Sequence, residues 1–149
     1  MSTAAKKLRD LDKDPLIEEA FSLAEHVYSK LADMPDDEKW YSEAKLRSLT
    51  VDLLATLAQA LGNASPSTTE FDWAQARKYA FALKTLYRFT CRQKFIELEP
   101  QTMVRFTGLI KQIDAEVIKA YDQTAKKDKK DIELWEKKYW LWKETNHED

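Results

Sequence analysis

Apolar residues recur at steps of three and four along most of this chain, and that spacing places them on one face of an α-helix. The first stripe follows Asp14 and Pro15, which supply a capping acceptor and a ring that presets the first helical φ angle. We therefore predict a first helix that begins near Pro15 and buries one face. Its predicted core positions are Leu16, Ala20, Leu23, Val27 and Leu31, with Ile17, Phe21, Ala24 and Tyr28 beside them.

A second helical pattern follows Met34 and Pro35, where the proline ring disfavours helical geometry in the preceding residue. The helix is predicted over about residues 36–61, with Gly62 and Asn63 as a left-handed stop. Its predicted core positions are Leu46, Leu49, Leu53, Leu57 and Ala60.

A third helix is predicted after a short polar loop. Ser67 and Glu70 have the spacing of a capping box, in which each side chain satisfies a free amide at the start of a helix. The helix is predicted to run from this box to about Phe95. Its predicted apolar stripe comprises Phe71, Tyr79, Ala82, Leu83, Leu86, Phe89 and Thr90.

Glu99 and Pro100 repeat the start signal, and a fourth helix is predicted to about Thr124. Its predicted core positions are Met103, Phe106, Ile110, Ile113, Val117 and Tyr121. The charge run at residues 125–131 is interpreted as a solvated hinge. Helical spacing of apolar residues after the hinge predicts a fifth helix, which carries Ile132, Trp135, Tyr139 and Trp142.

These elements divide the chain into a flexible N-terminal tail over residues 1–14, a four-helix bundle over residues 15–125, and a charged hinge with an aromatic helix over residues 126–149. Two glycines and four prolines in a chain rich in Ala, Leu, Glu and Lys argue against sheets. Short connections favour antiparallel neighbours. We predict an all-α fold, an antiparallel up-down-up-down four-helix bundle with an additional C-terminal helix.

The formal net charge is −2 over 149 residues, which points away from a strongly basic nucleic-acid binder and requires any basic site to be local. Cys91 is the single cysteine, so the chain has no internal disulfide and suits a reducing cytosol. Apolar runs stay well short of the roughly 20 residues of a membrane-spanning helix, and the N-terminus lacks an apolar signal core. We expect a cytoplasmic protein with no membrane role.

The order of features over residues 18–121 resembles the four-helix-bundle family that includes the proteins encoded in 23S ribosomal RNA intervening sequences and the accessory variability determinant (Avd) of diversity-generating retroelements. The first hairpin is similar through residues 27–31, 34–35 and 46–47. The Avd branch is resembled most by residues 80–89, Ala-Phe-Ala-Leu-Lys-Thr-Leu-Tyr-Arg-Phe, followed by Leu-Glu-Pro at 98–100 and a helix with Ile113 and Val117.

The resemblance implies a protein that assembles as a pentamer with a positively charged surface and binds a reverse transcriptase and nucleic acid, RNA or DNA, during mutagenic copying. Lys84 and Arg88 match the family's basic positions best. This chain departs from the pattern in two ways: it is mildly acidic, and its tail after Tyr121 lies outside the resemblance.

Independently of the resemblance, the spacing of basic residues on the third helix predicts a candidate binding strip. Such a strip neutralises phosphates, in an interaction that weakens as salt rises because counterions are released. The predicted nucleic-acid or partner site comprises Lys84, Arg88, Arg77, Lys78, Arg92 and Arg47, with Arg105 and Lys111 as candidates to extend it. The alternative interpretation is a solvated helix face balanced by acidic residues elsewhere. Tyr87 and Phe89 between them are better explained by packing than by base stacking.

Aromatic residues are concentrated near the C-terminus, where Trp135, Tyr139 and Trp142 form the predicted oligomer or partner interface. Tryptophan brings large apolar area to buried or interface positions. The helix that carries them either folds back on its own bundle, packs on a neighbouring subunit or binds an external partner.

Catalytic chemistry finds little support in the sequence. A nucleophile needs a base within reach, and the chain offers Cys91, His26 and His147. The Glu-x-x-His spacing of di-iron bundles occurs only at Glu144 and His147, which we interpret as coincidence. We expect no enzyme activity, no cofactor, no metal and no small-molecule substrate. The expected function is a self-associating scaffold that binds a reverse transcriptase, nucleic acid or both, with a purely structural protein–protein interaction bundle as the alternative.

Overall fold

The structure is a computed structural model that describes residues 13–35, 39–62 and 66–146, with the side chains of residues 42–62 and 69–146 in the second to fourth helices. The predicted tail over residues 1–14 therefore lies almost wholly outside the described residues. The described chain contains helices and connecting turns and no strand, which confirms the all-α class. The four helices are α1 (Pro15–Ala32), α2 (Lys39–Gly62), α3 (Pro66–Arg92) and α4 (Pro100–Thr145).

The helices pack in a closed circuit. Each helix contacts the next one along the chain, and α1 also contacts α4. Between α3 and α4, Lys84 contacts Thr107 and Arg77 contacts Asp114, so the partner's number rises as the residue number falls. One apolar core fills the circuit, and its largest fully buried side chains include Tyr87. None of the described helices is long and apolar enough to cross a membrane.

Helix α1 begins and packs as its sequence predicts. The Oδ1 atom of Asp14 accepts a hydrogen bond of 2.8 Å from the backbone amide of Leu16, which satisfies one of the free amides of the first turn. Pro15 occupies the first helical position. All five predicted core residues are buried, and Ile17 joins them, whereas Phe21 is exposed.

Helix α2 buries all five of its predicted core residues. The predicted start at Asp36 lies outside the described residues, and Lys39 is the first helical residue that the structure describes. The predicted left-handed stop is wrong at Gly62, because this glycine is the last residue of the helix and does not have a positive φ angle. Asn63 lies outside the described residues.

The apolar stripe predicted for α3 is wrong at three of its positions. Phe71, Ala82 and Phe89 are exposed, while Leu83 and Thr90 are buried as predicted. The buried face comprises Trp73, Ala76, Ala80, Leu83, Tyr87, Thr90 and Cys91. The prediction was wrong because α3 carries aromatic residues on several faces, so more than one stripe fits the helical period.

Both ends of α3 also differ from the prediction. Ser67 lies inside the first turn and is not the capping residue, since the helix begins at Pro66, whose fixed φ angle suits that position. At the other end the helix stops at Arg92, before Phe95. The amide of Phe95 donates to the carbonyl of Thr90 at 3.2 Å and the amide of Lys94 to that of Cys91 at 2.9 Å, the two bonds of a Schellman cap. Lys94 has the positive φ angle, 65°, that this cap requires.

Helix α4 is one continuous element of 46 residues, which at 1.5 Å per residue is about 69 Å long. The predicted hinge at residues 126–131 and the separate fifth helix are therefore wrong. Alanine and lysine are good helix formers, and the charge run contains neither glycine nor proline to interrupt the helix. Buried residues end at Ala120, and every side chain from residue 125 to residue 146 is exposed.

Candidate functional site

A groove of about 570 Å³ runs along the surface where α3 meets α4. Lys84 and Arg88 lie four residues apart on α3, so that both side chains project from one face of that helix. Lys111 approaches from α4, four residues after Thr107. The remaining lining residues are Leu98, Met103, Val104 and Gly108.

Lys84 is held in place within the groove. Its Nζ atom donates a hydrogen bond of 3.1 Å to the hydroxyl of Thr107, and that hydroxyl donates in turn to the backbone carbonyl of Met103 at 3.0 Å. An ammonium group has three protons, so Lys84 retains donors for a ligand. Lys84 is therefore positioned by a neutral partner that leaves its charge uncompensated.

Arg88 and Lys111 are exposed and form no ion pair within the described chain. The groove lining thus contains three cationic side chains and, among described residues, no acidic one. Gly108 adds open space, since a Cβ atom there would meet nothing within 4 Å. A shallow surface with concentrated positive charge and free donors is suited to bind an extended polyanion or an acidic protein segment.

Arg77 lies on the same side of α3 but is neutralised. Its Nη1 atom is 2.7 Å from Oδ1 of Asp114 on α4. The carboxylate offsets the guanidinium charge, so Arg77 connects α3 to α4 and is not a free cation. Lys78 and Arg92 are exposed on α3, do not line the groove, and pair with no acid in the described residues.

Arg47 lies away from the groove, between α1 and α2. Its guanidinium pairs with Glu43 at 2.8 Å and stacks over the ring of Tyr28, 4.5 Å from the ring centroid. Arg105 is also separate: it pairs with Glu19 of α1 at 3.2 Å and donates to Ser22 at 2.8 Å. The predicted strip therefore divides, and Lys84, Arg88 and Lys111 are the residues that the structure brings together.

The predicted aromatic interface residues lie on the exposed part of α4. Trp135 and Trp142 are 65% and 61% exposed. The rings of Trp135 and Tyr139 stack with centroids 5.5 Å apart, and those of Tyr139 and Trp142 are 6.4 Å apart. No described residue of the bundle covers this surface, so within the described chain the helix does not fold back on its own bundle.

A polar cluster at one end of the bundle is not predicted from the sequence, because its members come from two helices, α1 and α4, that lie far apart in the chain and share no local motif. The Nε2 atom of His26 lies 2.9 Å from the hydroxyl of Thr102, and Lys30 forms an ion pair with Glu99. The hydrogen bond with Lys30 lowers the pKa of Glu99, and the same bond raises the pKa of Lys30. These contacts attach the start of α4 to α1.

Cys91 and Tyr87 adjoin this cluster from α3. Burial, and to a smaller extent the charge of Glu99, raises the pKa of the Cys91 thiol. A thiol held protonated is a poor nucleophile. Burial also raises the pKa of the Tyr87 phenol. Both groups therefore behave as core residues.

The fold and the groove define a class, an all-α protein with a cationic surface groove and a projecting aromatic helix. Among the described residues, no three His, Cys, Asp or Glu side chains are grouped so that they could hold a metal ion. No protein-family model matches the chain, and no curated protein gives a significant match to it.

Proposed function

We propose that this protein is a non-enzymatic accessory scaffold that self-associates and binds a reverse transcriptase, nucleic acid or both, as in diversity-generating retroelements. The observation that supports the proposal is the groove between α3 and α4, whose described lining residues include three cations and no acidic side chain. Lys84 and Arg88, the two positions that match the Avd-like pattern best, both line it. In this proposal the bundle has up-down-up-down topology and assembles as a pentamer in the cytoplasm.

The chemistry of the groove favours recognition of a phosphate backbone. Two cations one helical turn apart, with a third on the facing helix, contact successive phosphates without reading bases. Three neutralised phosphates correspond to a slope of about −2 for the logarithm of the binding constant against the logarithm of salt concentration on a single strand. Binding is therefore expected to be sequence-tolerant and strongly weakened by salt.

The experiment compares two doubly substituted variants that change the net charge equally on the same helix. Lys84→Glu with Arg88→Glu reverses the charges inside the groove. Lys78→Glu with Arg92→Glu reverses two exposed charges outside it. Fluorescence anisotropy with labelled single-stranded and structured RNA, repeated across a salt series, should show lost binding for the groove variant and a small change for the control.

Equal losses in both variants would indicate a diffuse electrostatic effect and would contradict the assignment of the groove. Circular dichroism checks that both variants keep their helical content. Light scattering tests self-association separately, since the proposal requires a mass several times 17.4 kDa.

The alternative is a protein–protein interaction bundle with no role in nucleic-acid binding. The observation that favours it is the exposed aromatic surface of α4, together with the net charge of −2. Aromatic anchors are enriched at protein interfaces. Under this alternative, RNA binding is absent at every salt concentration and the groove variant retains its protein partner.

A further inference from the structure

A regularly spaced and largely apolar seam follows the exposed half of α4. Its positions are spaced alternately by three and four residues over 25 residues, which is the heptad pattern of a coiled coil. We call it the tail seam; it comprises Ile118, Tyr121, Ala125, Asp128, Ile132, Trp135, Tyr139 and Trp142. Each of these side chains is exposed.

The charges that flank the tail seam distinguish the two ways of pairing it with a second copy. In a parallel pair, the residue that precedes the first seam position of each heptad, as Asp131 precedes Ile132 and Lys138 precedes Tyr139, faces the residue five places later on the other helix. Asp131 would then face Glu136, and Lys138 would face Lys143. Like charges that face each other are destabilising, so a parallel pair is disfavoured at both sites.

In an antiparallel pair, equivalent flanking positions face each other across the seam. With the two-fold axis between residues 133 and 134, every charged pair is attractive and forms twice by symmetry. The pairs are Asp131 with Lys138, Lys129 with Glu136, and Asp122 with Lys143. Sliding the helices by one heptad brings Asp131 against Asp131 in one direction and Lys138 against Lys138 in the other. The charges therefore specify one orientation and one register.

The seam residues are complementary in the same register. Ile132 lies opposite Trp135, and small Ala125 lies opposite large Trp142. Asp128 lies opposite Tyr139, whose hydroxyl is able to donate a hydrogen bond to the carboxylate. Covering these side chains on both copies removes on the order of 1,000 Å² from water, close to the lower bound of specific interfaces.

We propose that the exposed part of α4 pairs with the same segment of a second copy as an antiparallel coiled coil, in the register centred between residues 133 and 134. This two-fold contact is additional to the pentamer of the proposed function, because a pair of tails joins two copies and not five; its role in self-association rests on the proposed function. The antiparallel arrangement places the two bundles at opposite ends of the paired segment. The groove between α3 and α4 stays uncovered on each bundle.

Disulfide trapping in the full chain tests the orientation, with Cys91→Ala as the background. Asp128→Cys and Tyr139→Cys are prepared separately and then mixed under mild oxidation. In the proposed register, position 128 of one copy faces position 139 of the other. Position 128 of one copy is 11 residues, or about 16 Å, from position 128 of the other copy, and the same holds for position 139. A disulfide requires Cα atoms within about 7 Å, so only the mixture should form the cross-linked dimer. A cross-link in either variant alone, or none in the mixture, would overturn the proposal.

Charge reversal provides a second, independent test. Asp131→Lys and Lys138→Asp should each raise the dimer dissociation constant about tenfold or more, because two attractive pairs become repulsive in each. Mixing the two variants, or combining both changes in one chain, restores the attraction. Tighter dimers for Asp131→Lys alone would indicate the parallel pair and overturn the proposal.

RNA binding separates this inference from the proposed function. The charge-reversed variants keep the groove residues, so their salt-sensitive RNA binding should persist at the level of a single bundle. If cross-linking fails while the groove variant still loses RNA binding, the tail pairing is wrong and the groove assignment stands. If cross-linking succeeds and no RNA binds, the pairing is right and the nucleic-acid role is wrong.

Discussion

The two halves of α4 have the same helical geometry and opposite surroundings. From Thr102 to Ala120 the helix places its apolar face in the core of the bundle. From Ala125 to Thr145 it places a largely apolar face, interrupted by Asp128, in solvent. Helical periodicity therefore reveals that a face is apolar without revealing what covers it. That information comes from the neighbouring helices in the first half and, in our proposal, from a second copy in the other half.

The polar contacts differ in the same way. In the bundle half, Thr102, Arg105, Thr107 and Asp114 each contact a side chain of α1 or α3. In the projecting half, every hydrogen bond that a described side chain makes, as in Thr145 and Asn146, goes to the backbone of the same helix. The bundle half is fixed by tertiary contacts, whereas the projecting half depends on helix propensity until it is paired.

The largest effect is expected from removing an aromatic ring in the bundle half of α4, and the matched change in the projecting half should have almost none. Phe106 is fully buried, with its ring centroid 5.4 Å from that of Tyr87. Phe106→Ala should lower the free energy of unfolding by about 3–5 kcal/mol, because it loses buried area and leaves a cavity. Trp135→Ala should change the unfolding of the bundle by less than about 0.5 kcal/mol.

Urea unfolding followed by far-ultraviolet circular dichroism at low protein concentration measures both variants. The concentration is kept low so that pairing of the tail does not contribute. A comparable loss for Trp135→Ala would show that the projecting half packs on its own bundle and would remove the contrast.

A proline in the charge run tests whether α4 is continuous. Lys127→Pro removes the amide that bonds to the carbonyl of Gln123 and costs the helix about 3 kcal/mol locally. Faster amide exchange is expected over residues 124–145, with unchanged exchange in the bundle, because buried residues end at Ala120. Hydrogen-exchange mass spectrometry measures this, with Lys127→Ala as the control. If Lys127→Pro has no effect on exchange, residues 126–131 are a hinge after all.

The sequence predicts the core positions best in α1 and α2. All ten principal core positions there are correct, because aliphatic residues at steps of three and four form one dominant stripe, although Phe21 and Val51 are exposed on other faces. In α3 the exposed Phe71, Phe81 and Phe89 compete with the buried Trp73 and Tyr87, and local spacing does not decide between them. The continuity of α4 was missed because a solvated charge run was equated with a break, although its residues favour helix.

For the candidate site, the sequence predicts the pair of cations on α3 because i,i+4 spacing is local information. It does not predict which distant cations join them. Lys111 reaches the groove and Arg47 does not, since that depends on how the helices are rotated in the bundle. The partners that neutralise Arg77 and Arg105 lie 37 and 86 residues away in sequence. Separations of this length carry no periodic signal.

The smallest expected effect concerns the two ends of α4 and depends on pH. Lys30 lowers the pKa of Glu99, so the stabilisation from this pair is present above the ordinary glutamate value of about 4.3 and is lost as the pH falls through the lower, folded-state pKa. Glu99→Gln removes the effect, so its melting temperature should fall less than that of the native chain on acidification. Glu144→Gln, at the exposed end of the helix, should lose as much melting temperature on acidification as the native chain, because this side chain contacts no other helix of the described chain. Thermal melts at a series of pH values compare the three proteins. If the melting temperatures of all three fall equally on acidification, Glu99 contributes no more to stability than a residue of the projecting half.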